Sequence, residues 1–180
     1  MILEINAFAN PYPDEAKEIE TYIAECLKKE NPEIIKEYEL ESFEVKVLNF
    51  KRTFVEKILS LGRLSLNDDD EYSELKEKVR HFYDVYKLLS TDEIKTFIDS
   101  SDFKEMIEQA LQDDFSNPEF KDSWVDGDLR EIRLFKEHES IFNKITPTYN
   151  DSFKSLLYDR NETSIEEVKD TFEFLSLIHI

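Results

Sequence analysis

Arg80 and Asp84 stand one helical turn apart in the segment Arg-His-Phe-Tyr-Asp. Side chains four positions apart are neighbours on a helix, so the simplest interpretation is a surface ion pair that contributes about 0.3–0.5 kcal/mol. A second interpretation gives the pair a chemical role. Asp84 would accept a hydrogen bond from Lys57 on a neighbouring helix and keep that ammonium charged and aimed at a phosphate. The spacing itself leaves both interpretations open.

Lys57 borders the apolar stripe of its own helix, next to Phe54 and Ile58 on the helical wheel. Its aliphatic stem is expected to lie along the edge of the core, with the ammonium at the rim. That position suits a lysine that only reaches solvent, and equally a lysine that binds an anion.

The segment 51–63 is the best candidate for an anion site in the chain. It holds four basic residues and one acidic residue, Glu56, within a chain of net charge −19. The four bases are Lys51, Arg52, Lys57 and Arg63. The alternative is that these side chains are solvated flanks of a helix.

Other residue types give weaker indications. Glu4, in a presumed strand, is a candidate metal ligand or a strand residue that faces water, and one carboxylate does not make a metal site. The three histidines lack zinc-ligand spacing. Cys26 lies on an apolar helix face, where packing is a simpler role than nucleophilic attack.

Composition excludes several classes of protein. The 180 residues contain two glycines, Gly62 and Gly127, so the glycine-rich phosphate loops of Rossmann and P-loop proteins are excluded. The charge of −19 argues against non-specific binding to nucleic acid or anionic lipid. A single cysteine, the lack of a signal-peptide pattern and the lack of an apolar run of about 18 residues predict a cytoplasmic protein.

Two short strands are expected early in the chain, at residues 2–8 and 43–50. The spacing of apolar residues predicts an amphipathic helix over 15–30 between them. Asn31 and Pro32 end that helix, because proline cannot continue it.

The remainder of the chain has the apolar spacing of helices. Ser164 and Glu167 have the spacing of a capping box at the start of the last helix. The predicted helices cover 51–62, 72–89, 91–98, 103–111, 129–145, 149–158 and 164–180, with a loop over 113–128. The predicted fold class is therefore α+β and predominantly helical.

Four stretches of sequence point to a family. They are Leu-Glu-Ile-Asn-Ala-Phe-Ala-Asn-Pro-Tyr-Pro at 3–13 with 21–25, Arg-Thr-Phe-Val-Glu-Lys-Ile-Leu at 52–59, Arg-His-Phe-Tyr-Asp-Val-Tyr-Lys-Leu-Leu at 80–89, and 153–158 with 165–168. Together they resemble the C-terminal part of the AbiEii/AbiGii nucleotidyltransferase-like toxins. That family acts in type IV toxin–antitoxin and abortive-infection systems and belongs to the DNA polymerase β-type nucleotidyltransferase superfamily. The second and third stretches are the specific ones.

The resemblance implies a role for each matched residue. Lys57 corresponds to the family lysine that binds nucleotide phosphate, and Arg80 and Asp84 correspond to the arginine and aspartate of a late motif. Arg63 corresponds to a basic, nucleotide-binding position after the lysine helix, and Glu4 to the third metal carboxylate. Lys57 and Asp84 are thus the expected catalytic residues. The complete family enzyme is expected to use Mg²⁺ and a nucleoside triphosphate.

Half of the family pattern has no counterpart in the early part of this chain. Family enzymes begin with a Gly-Gly/Ser-Ser/Thr loop and a pair of aspartates, whereas this chain has no glycine before Gly62 and no Asp-x-Asp in its first sixty residues. The chain is therefore expected to be a C-terminal segment. Residues 1–65 would hold a remnant of the nucleotidyltransferase sheet, two or so strands, with the lysine helix, and 66–180 a helical bundle.

Such a segment is expected to be inactive alone, because metal-assisted nucleotidyl transfer needs at least two carboxylates on the metals. The implied partners are a nucleotide and either a cognate antitoxin or a chain with the missing half. Membrane and, for this segment alone, nucleic acid are not expected partners. The alternative function is that of a non-catalytic helical module that binds another protein.

Overall fold

The computed structural model describes residues 12–66, 71–121, 124, 129–157 and 163–178. They fall into two compact units, one covering 12–49 and the other 50–178. The predicted strand at 2–8, and Glu4 with it, lies outside the described residues. None of the described helices is long and apolar enough to cross a membrane.

The first unit is a two-stranded sheet with two helices. Strand β1 (Asp14–Ile19) pairs antiparallel with β2 (Phe43–Leu48), and Asp14 lies opposite Leu48 in the register. Helices α1 (Tyr22–Glu30) and α2 (Pro32–Glu37) connect the strands. The strand predicted at 43–50 is thereby confirmed.

The helix predicted over 15–30 is wrong in its first third, since Asp14–Ile19 forms β1. Thr21 starts the helix instead, because its backbone is extended and its Oγ1 accepts a hydrogen bond from the Ala24 backbone N–H at 3.1 Å. The residues before Thr21 gain ladder hydrogen bonds to β2, a non-local interaction that outweighs their helical pattern. The predicted end at Asn31 and Pro32 is confirmed.

The second unit is helical. Its elements are α3 (Phe50–Ser65), α4 (Ser73–Glu77), α5 (Val79–Leu89), α6 (Asp92–Ile98), α7 (Ser101–Ser116), α8 (Arg133–Lys136), α9 (His138–Thr148) and α10 (Ile165–Leu177). Phe82, Phe142 and Phe172 meet in its core with ring centroids 4.9–5.7 Å apart. The prediction of an α+β, predominantly helical fold is confirmed.

Helix α3 packs with the helices that follow it. Its apolar stripe, which includes Phe54 and Ile58, is buried against α5 and α7. Gly62 lies within α3, and a Cβ atom there would stand 2.9 Å from the terminal methyl of Ile132. The two compact units divide at residue 49. The division at residue 65 that the family resemblance implied stays a prediction.

Two helices differ from the predicted ones. The helix predicted over 72–89 is divided at Lys78 into α4 and α5, although its apolar stripe stays buried at Leu75, Val79 and Phe82. Helix α7 continues to Ser116 and includes residues assigned to a loop. Asp113 and Asp114 in that extension form ion pairs with α3, a tertiary interaction that the local pattern does not contain.

The C-terminal part of the chain differs from the predicted helices at two places and agrees with the prediction at the start of its last helix. The helix predicted at 129–145 is a 3₁₀ turn (Leu129–Glu131) followed by α8 and α9. After α9 the chain widens into one π-helical turn (Tyr149–Phe153) and tightens into a 3₁₀ turn (Lys154–Leu156). The predicted capping box of α10 is confirmed, because Ser164 Oγ accepts from the Glu167 N–H and Glu167 Oε2 accepts from the Ser164 N–H.

Candidate nucleotide-binding site

Lys57 and Asp84 form a hydrogen-bonded ion pair between α3 and α5. The Lys57 Nζ donates to Asp84 Oδ2 at 2.8 Å. Both side chains are about three-quarters buried, with 21% and 23% of their surface exposed. The structure therefore brings together the two residues that the sequence paired across a helix interface.

The packing of each helix explains this placement. On α3, Phe54 and Ile58 are buried on either side of Lys57, so its stem follows the core edge and its ammonium reaches the rim. On α5, Phe82 and Val85 are fully buried, which turns Asp84 toward the neighbouring helix. The ion pair thus lies where two amphipathic helices meet, partly shielded from water.

Arg80 stands beside this pair on the solvent side of α5. Its Nε lies 3.7 Å from Asp84 Oδ2, and 77% of the side chain is exposed. The surface ion pair predicted from the i,i+4 spacing is therefore present as a long contact, together with the shorter bond to Lys57. Two cations around one carboxylate leave a local charge of about +1, which favours an anion.

His81 is a member of this cluster to which the sequence pattern gave no role. Burial and the nearby charge of Lys57 lower the pKa of His81 from 6.5 to about 4, with smaller contributions from Lys78 and Arg80, while Asp84 acts in the opposite direction. The imidazole is therefore neutral at pH 7. Its Nδ1 is buried and has no hydrogen-bond partner among the described residues. His81 lies one helical turn before Asp84 in the segment Arg-His-Phe-Tyr-Asp, and this spacing was the signal that could have identified it.

Arg52 is fully enclosed by protein, with 1% of its side chain exposed. Its Nε donates to Glu56 Oε1 at 2.8 Å and its Nη2 to Asp113 Oδ2 at 2.7 Å. The bond to Asp113 links α3 to α7. Because the two carboxylates balance the charge of Arg52 inside the fold, Arg52 does not contribute to an open anion site.

Arg63 is also used internally. It donates to Asp114, which accepts a second hydrogen bond from Trp124 Nε1 at 2.9 Å, and its guanidinium lies 4.0 Å from the centroid of the Phe120 ring. On α3, Arg63 is six residues beyond Lys57 and contacts α7 rather than α5. The structure therefore does not bring Arg63 to the Lys57–Asp84 pair.

The basic segment 51–63 is consequently much less basic in the fold than in the sequence. Asp84, Asp113 and Asp114 pair with three of its four cations, and Lys51 Nζ lies 5.2 Å from the Phe97 ring centroid. Acidic residues in the last turn of a helix oppose its dipole, so Asp113 and Asp114 at the end of α7 were a signal of cationic partners. Among the basic residues of this segment, Lys57 is the one that lies beside Asp84 and Arg80.

The described residues do not fit a magnesium ion. Magnesium prefers carboxylate and water oxygens in an octahedral arrangement, and Asp84 is turned toward two cations instead. Within the described part of the chain, no group of three or more His, Cys, Asp or Glu side chains is placed to hold a metal. Glu4, the residue implied as a metal ligand, lies outside that part.

A cavity of about 730 Å³ opens beside Asp84, with Arg80 and Tyr83 of α5 on one wall and Phe153 of the π-helical turn on the other. Asp84 thus contacts the Lys57 ammonium and also lines this cavity. A charged pair at the edge of a largely apolar cavity is the arrangement expected of a small-molecule site.

Comparison with known proteins identifies a family. The model of the family described as nucleotidyl transferase AbiEii toxin, type IV TA system, matches residues 1–173. No curated protein and no solved structure matches the chain significantly. Because the matched region includes nearly all of the sequence and both helices of the Lys57–Asp84 pair, the chain belongs to the AbiEii nucleotidyltransferase toxin family.

Proposed function

We propose that this chain is the nucleotide-binding C-terminal segment of a nucleotidyltransferase toxin, which transfers a nucleotidyl group from a nucleoside triphosphate to an acceptor hydroxyl. RNA is the acceptor class we propose. In this reaction Lys57 binds the triphosphate, Asp84 positions Lys57, and Arg80 supplies a second cation. Family membership supports the reaction class, and the geometry of α3 and α5 supports the assignment of these residues.

The observation that carries the proposal is the 2.8 Å hydrogen bond from Lys57 Nζ to Asp84 Oδ2. A lysine ammonium has three donors, so the bond to Asp84 leaves two for a phosphate. The carboxylate restricts the flexible Lys57 side chain, which lowers the entropy cost of binding. Partial burial strengthens the attraction to an anion because fewer water molecules screen it.

Arg80 fits the second position by its exposure. Its guanidinium has five N–H donors in a planar fork that matches two phosphate oxygens. With 77% of the side chain exposed and its Nε 3.7 Å from Asp84, the fork remains accessible on the same side of the carboxylate. Arg63 is left out of this site, because its guanidinium is already bound to Asp114 and stacked on Phe120.

The proposal is tested by substituting Lys57 with glutamine and titrating ATP, GTP, CTP and UTP separately by calorimetry. We expect the best-bound triphosphate to lose at least about tenfold in affinity, which corresponds to about 1.4 kcal/mol. Lys169→Gln is the matched control, because Lys169 donates to Glu139 at 2.9 Å on another face of the helical unit. Equal affinities of the Lys57→Gln variant and the unaltered chain would exclude the phosphate-binding role.

The carboxylates that hold the metal ions are proposed to come from outside the described residues. Glu4 is one candidate, and a segment with paired aspartates, in the same protein or on a second chain, would supply the others. The described residues show no such group. With those carboxylates supplied by a further segment, we expect the 180-residue chain to bind nucleotide without transferring it.

A second candidate function is that of a non-catalytic module that binds another protein. It is favoured by the apolar side chains that the sheet unit leaves exposed, among them Tyr22, Ile23 and Phe43. Tyr22 has 88% of its surface exposed, although it is a large aromatic residue at the start of a helix. Nucleotide titration separates the two candidates, because the module alone gives no reason for triphosphate affinity that depends on Lys57.

A further inference from the structure

The cavity beside Asp84 has the size and composition of a ligand site. Its volume of about 730 Å³ lies within the range of small-molecule pockets, and its lining is mostly apolar with a few polar groups. Its lining comes from α4, from α5, and from the end of α9 with the π-helical and 3₁₀ turns that follow. All of these elements lie within the helical unit.

The π-helical turn shapes the apolar wall. Pro147 lacks a backbone N–H, so α9 cannot complete its regular hydrogen bonds there, and the chain widens immediately afterwards. The wider turn buries Tyr149 and sets Phe153 against Tyr83 of α5, with ring centroids 5.4 Å apart and ring planes at 62°. Two aromatic rings beside Val79 and Leu157 suit a flat aromatic ligand.

The polar groups around the cavity suit the remaining parts of a nucleotide. Thr148 and Ser152 carry hydroxyl groups, and Glu77 carries a carboxylate. These groups can form hydrogen bonds with a base edge or a ribose. Lys76 and Arg80 add two cations to the lining, which attract phosphate.

Asp84 connects this cavity to Lys57. The carboxylate lines the cavity and accepts the hydrogen bond from Lys57 Nζ at 2.8 Å. A nucleoside in the cavity would therefore have its phosphates beside Arg80 and within reach of the Lys57 ammonium.

We propose that this cavity binds the nucleoside moiety of the triphosphate, with the base against Tyr83 and Phe153. The inference rests on the proposed function, in which Lys57 binds the phosphates. It adds the part of the site that gives affinity for the base and discriminates among the four nucleotides.

The test separates base binding from phosphate binding by using two probes, the best-bound nucleoside triphosphate and inorganic triphosphate. Ser152→Trp places an indole in the cavity from an exposed position, so the fold is expected to persist. Thr96→Trp is the matched control, because Thr96 is also exposed and, like Ser152, donates its hydroxyl to the carbonyl four residues earlier at 2.9 Å.

We expect Ser152→Trp to lower nucleoside triphosphate affinity about five- to a hundredfold, the contribution of stacking one base on an aromatic ring. Inorganic triphosphate affinity should stay unchanged, and Thr96→Trp should change neither. The inference is overturned if Ser152→Trp leaves nucleoside triphosphate binding intact or weakens both probes equally.

A second measurement does not depend on a variant. Millimolar nucleoside without phosphate should shift the aromatic proton resonances of Tyr83 and Phe153 in the unaltered chain, and the absence of such shifts overturns the inference. If these shifts occur but Lys57→Gln retains full affinity for inorganic triphosphate, the cavity assignment stands and the phosphate-binding role of Lys57 fails. If the Lys57→Gln variant loses affinity for both probes while the nucleoside causes no shifts, the phosphate-binding role of Lys57 stands and the cavity assignment fails.

Discussion

At the scale of single residues, the candidate site consists of polar groups held at the edge of a core. Lys57 and Asp84 satisfy one another, while Arg80 remains exposed at the same carboxylate. His81 is held neutral beside them, because burial and the Lys57 ammonium both oppose its protonation. The cluster therefore carries a permanent positive charge without adding a histidine charge.

The state of His81 predicts a dependence of stability on pH. Its pKa is about 4 in the folded protein and 6.5 in the unfolded chain, so the unfolded state binds the extra proton between these values. The free energy of unfolding should fall as the pH is lowered from 6.5 to about 4. A His81→Gln variant lacks this contribution, and its free energy of unfolding, measured by urea titration, should fall less over the same range. Parallel pH profiles of the two proteins would contradict the assignment, because the carboxylates are common to both.

At the scale of elements, α3 is the helix on which the site depends. It packs against α5 through the Lys57–Asp84 pair and against α7 through two further ion pairs, Arg52 with Asp113 and Arg63 with Asp114. The buried stripe between these pairs fixes the rotation of α3 about its axis. The orientation of Lys57 is thus set by contacts on both sides of its helix.

The Arg52 link between α3 and α7 predicts a strong effect on stability. Arg52→Met keeps the apolar stem but leaves Glu56 and Asp113 facing each other without their shared cation. We expect a loss of about 2–3 kcal/mol in the free energy of unfolding, below the roughly 3–5 kcal/mol of fully buried pairs because both carboxylates are about one-quarter exposed. Urea unfolding of the variant and of the unaltered chain measures this loss.

Arg80→Met is the matched control for Arg52→Met. Arg80 also belongs to an i,i+4 pair with a carboxylate, but its side chain is 77% exposed. Its replacement should change the free energy of unfolding by less than about 0.5 kcal/mol. Similar losses in the two variants would show that burial of Arg52 contributes little to the stability of the α3–α7 interface.

At the scale of the whole molecule, the residues proposed to bind phosphate all lie in one of the two compact units. The helical unit holds Lys57, Asp84 and Arg80, whereas no metal-binding group is found in the described residues. The sheet unit exposes apolar side chains such as Tyr22 and Ile23. Under the proposed function, a further segment supplies the carboxylates that hold the metal ions.

This proposal predicts that the 180-residue chain alone does not transfer nucleotides. With labelled nucleoside triphosphate, RNA and magnesium, we expect no incorporation above that of the Lys57→Gln variant, because the carboxylates that hold the metal ions are proposed to lie on that further segment. The variant identifies a contaminating enzyme, which would give equal incorporation in both preparations. Incorporation by the unaltered chain that Lys57→Gln abolishes would contradict the prediction and locate the metal ligands within this chain.

The amino-acid sequence determined the features that arise from neighbours along the chain. The apolar stripe of α3 placed Lys57 at the core edge, the pair Ser164 and Glu167 started α10, and Asn31-Pro32 ended α1. Helical periodicity and capping act over a few residues, so their patterns are visible without a tertiary structure. The resemblance to the AbiEii family was carried by contiguous motifs for the same reason.

Only the tertiary structure decided which charges meet. Lys57 and Asp84 are 27 residues apart, Arg63 and Asp114 are 51 apart, and Arg52 and Asp113 are 61 apart. The sequence offered the first pair as one of two interpretations and read Arg52 and Arg63 as part of an anion site. Packing of α3 between α5 and α7 neutralised those two arginines, and packing of α5 beside the π-helical turn formed the cavity. Such contacts depend on how helices dock, which local patterns along the chain do not encode.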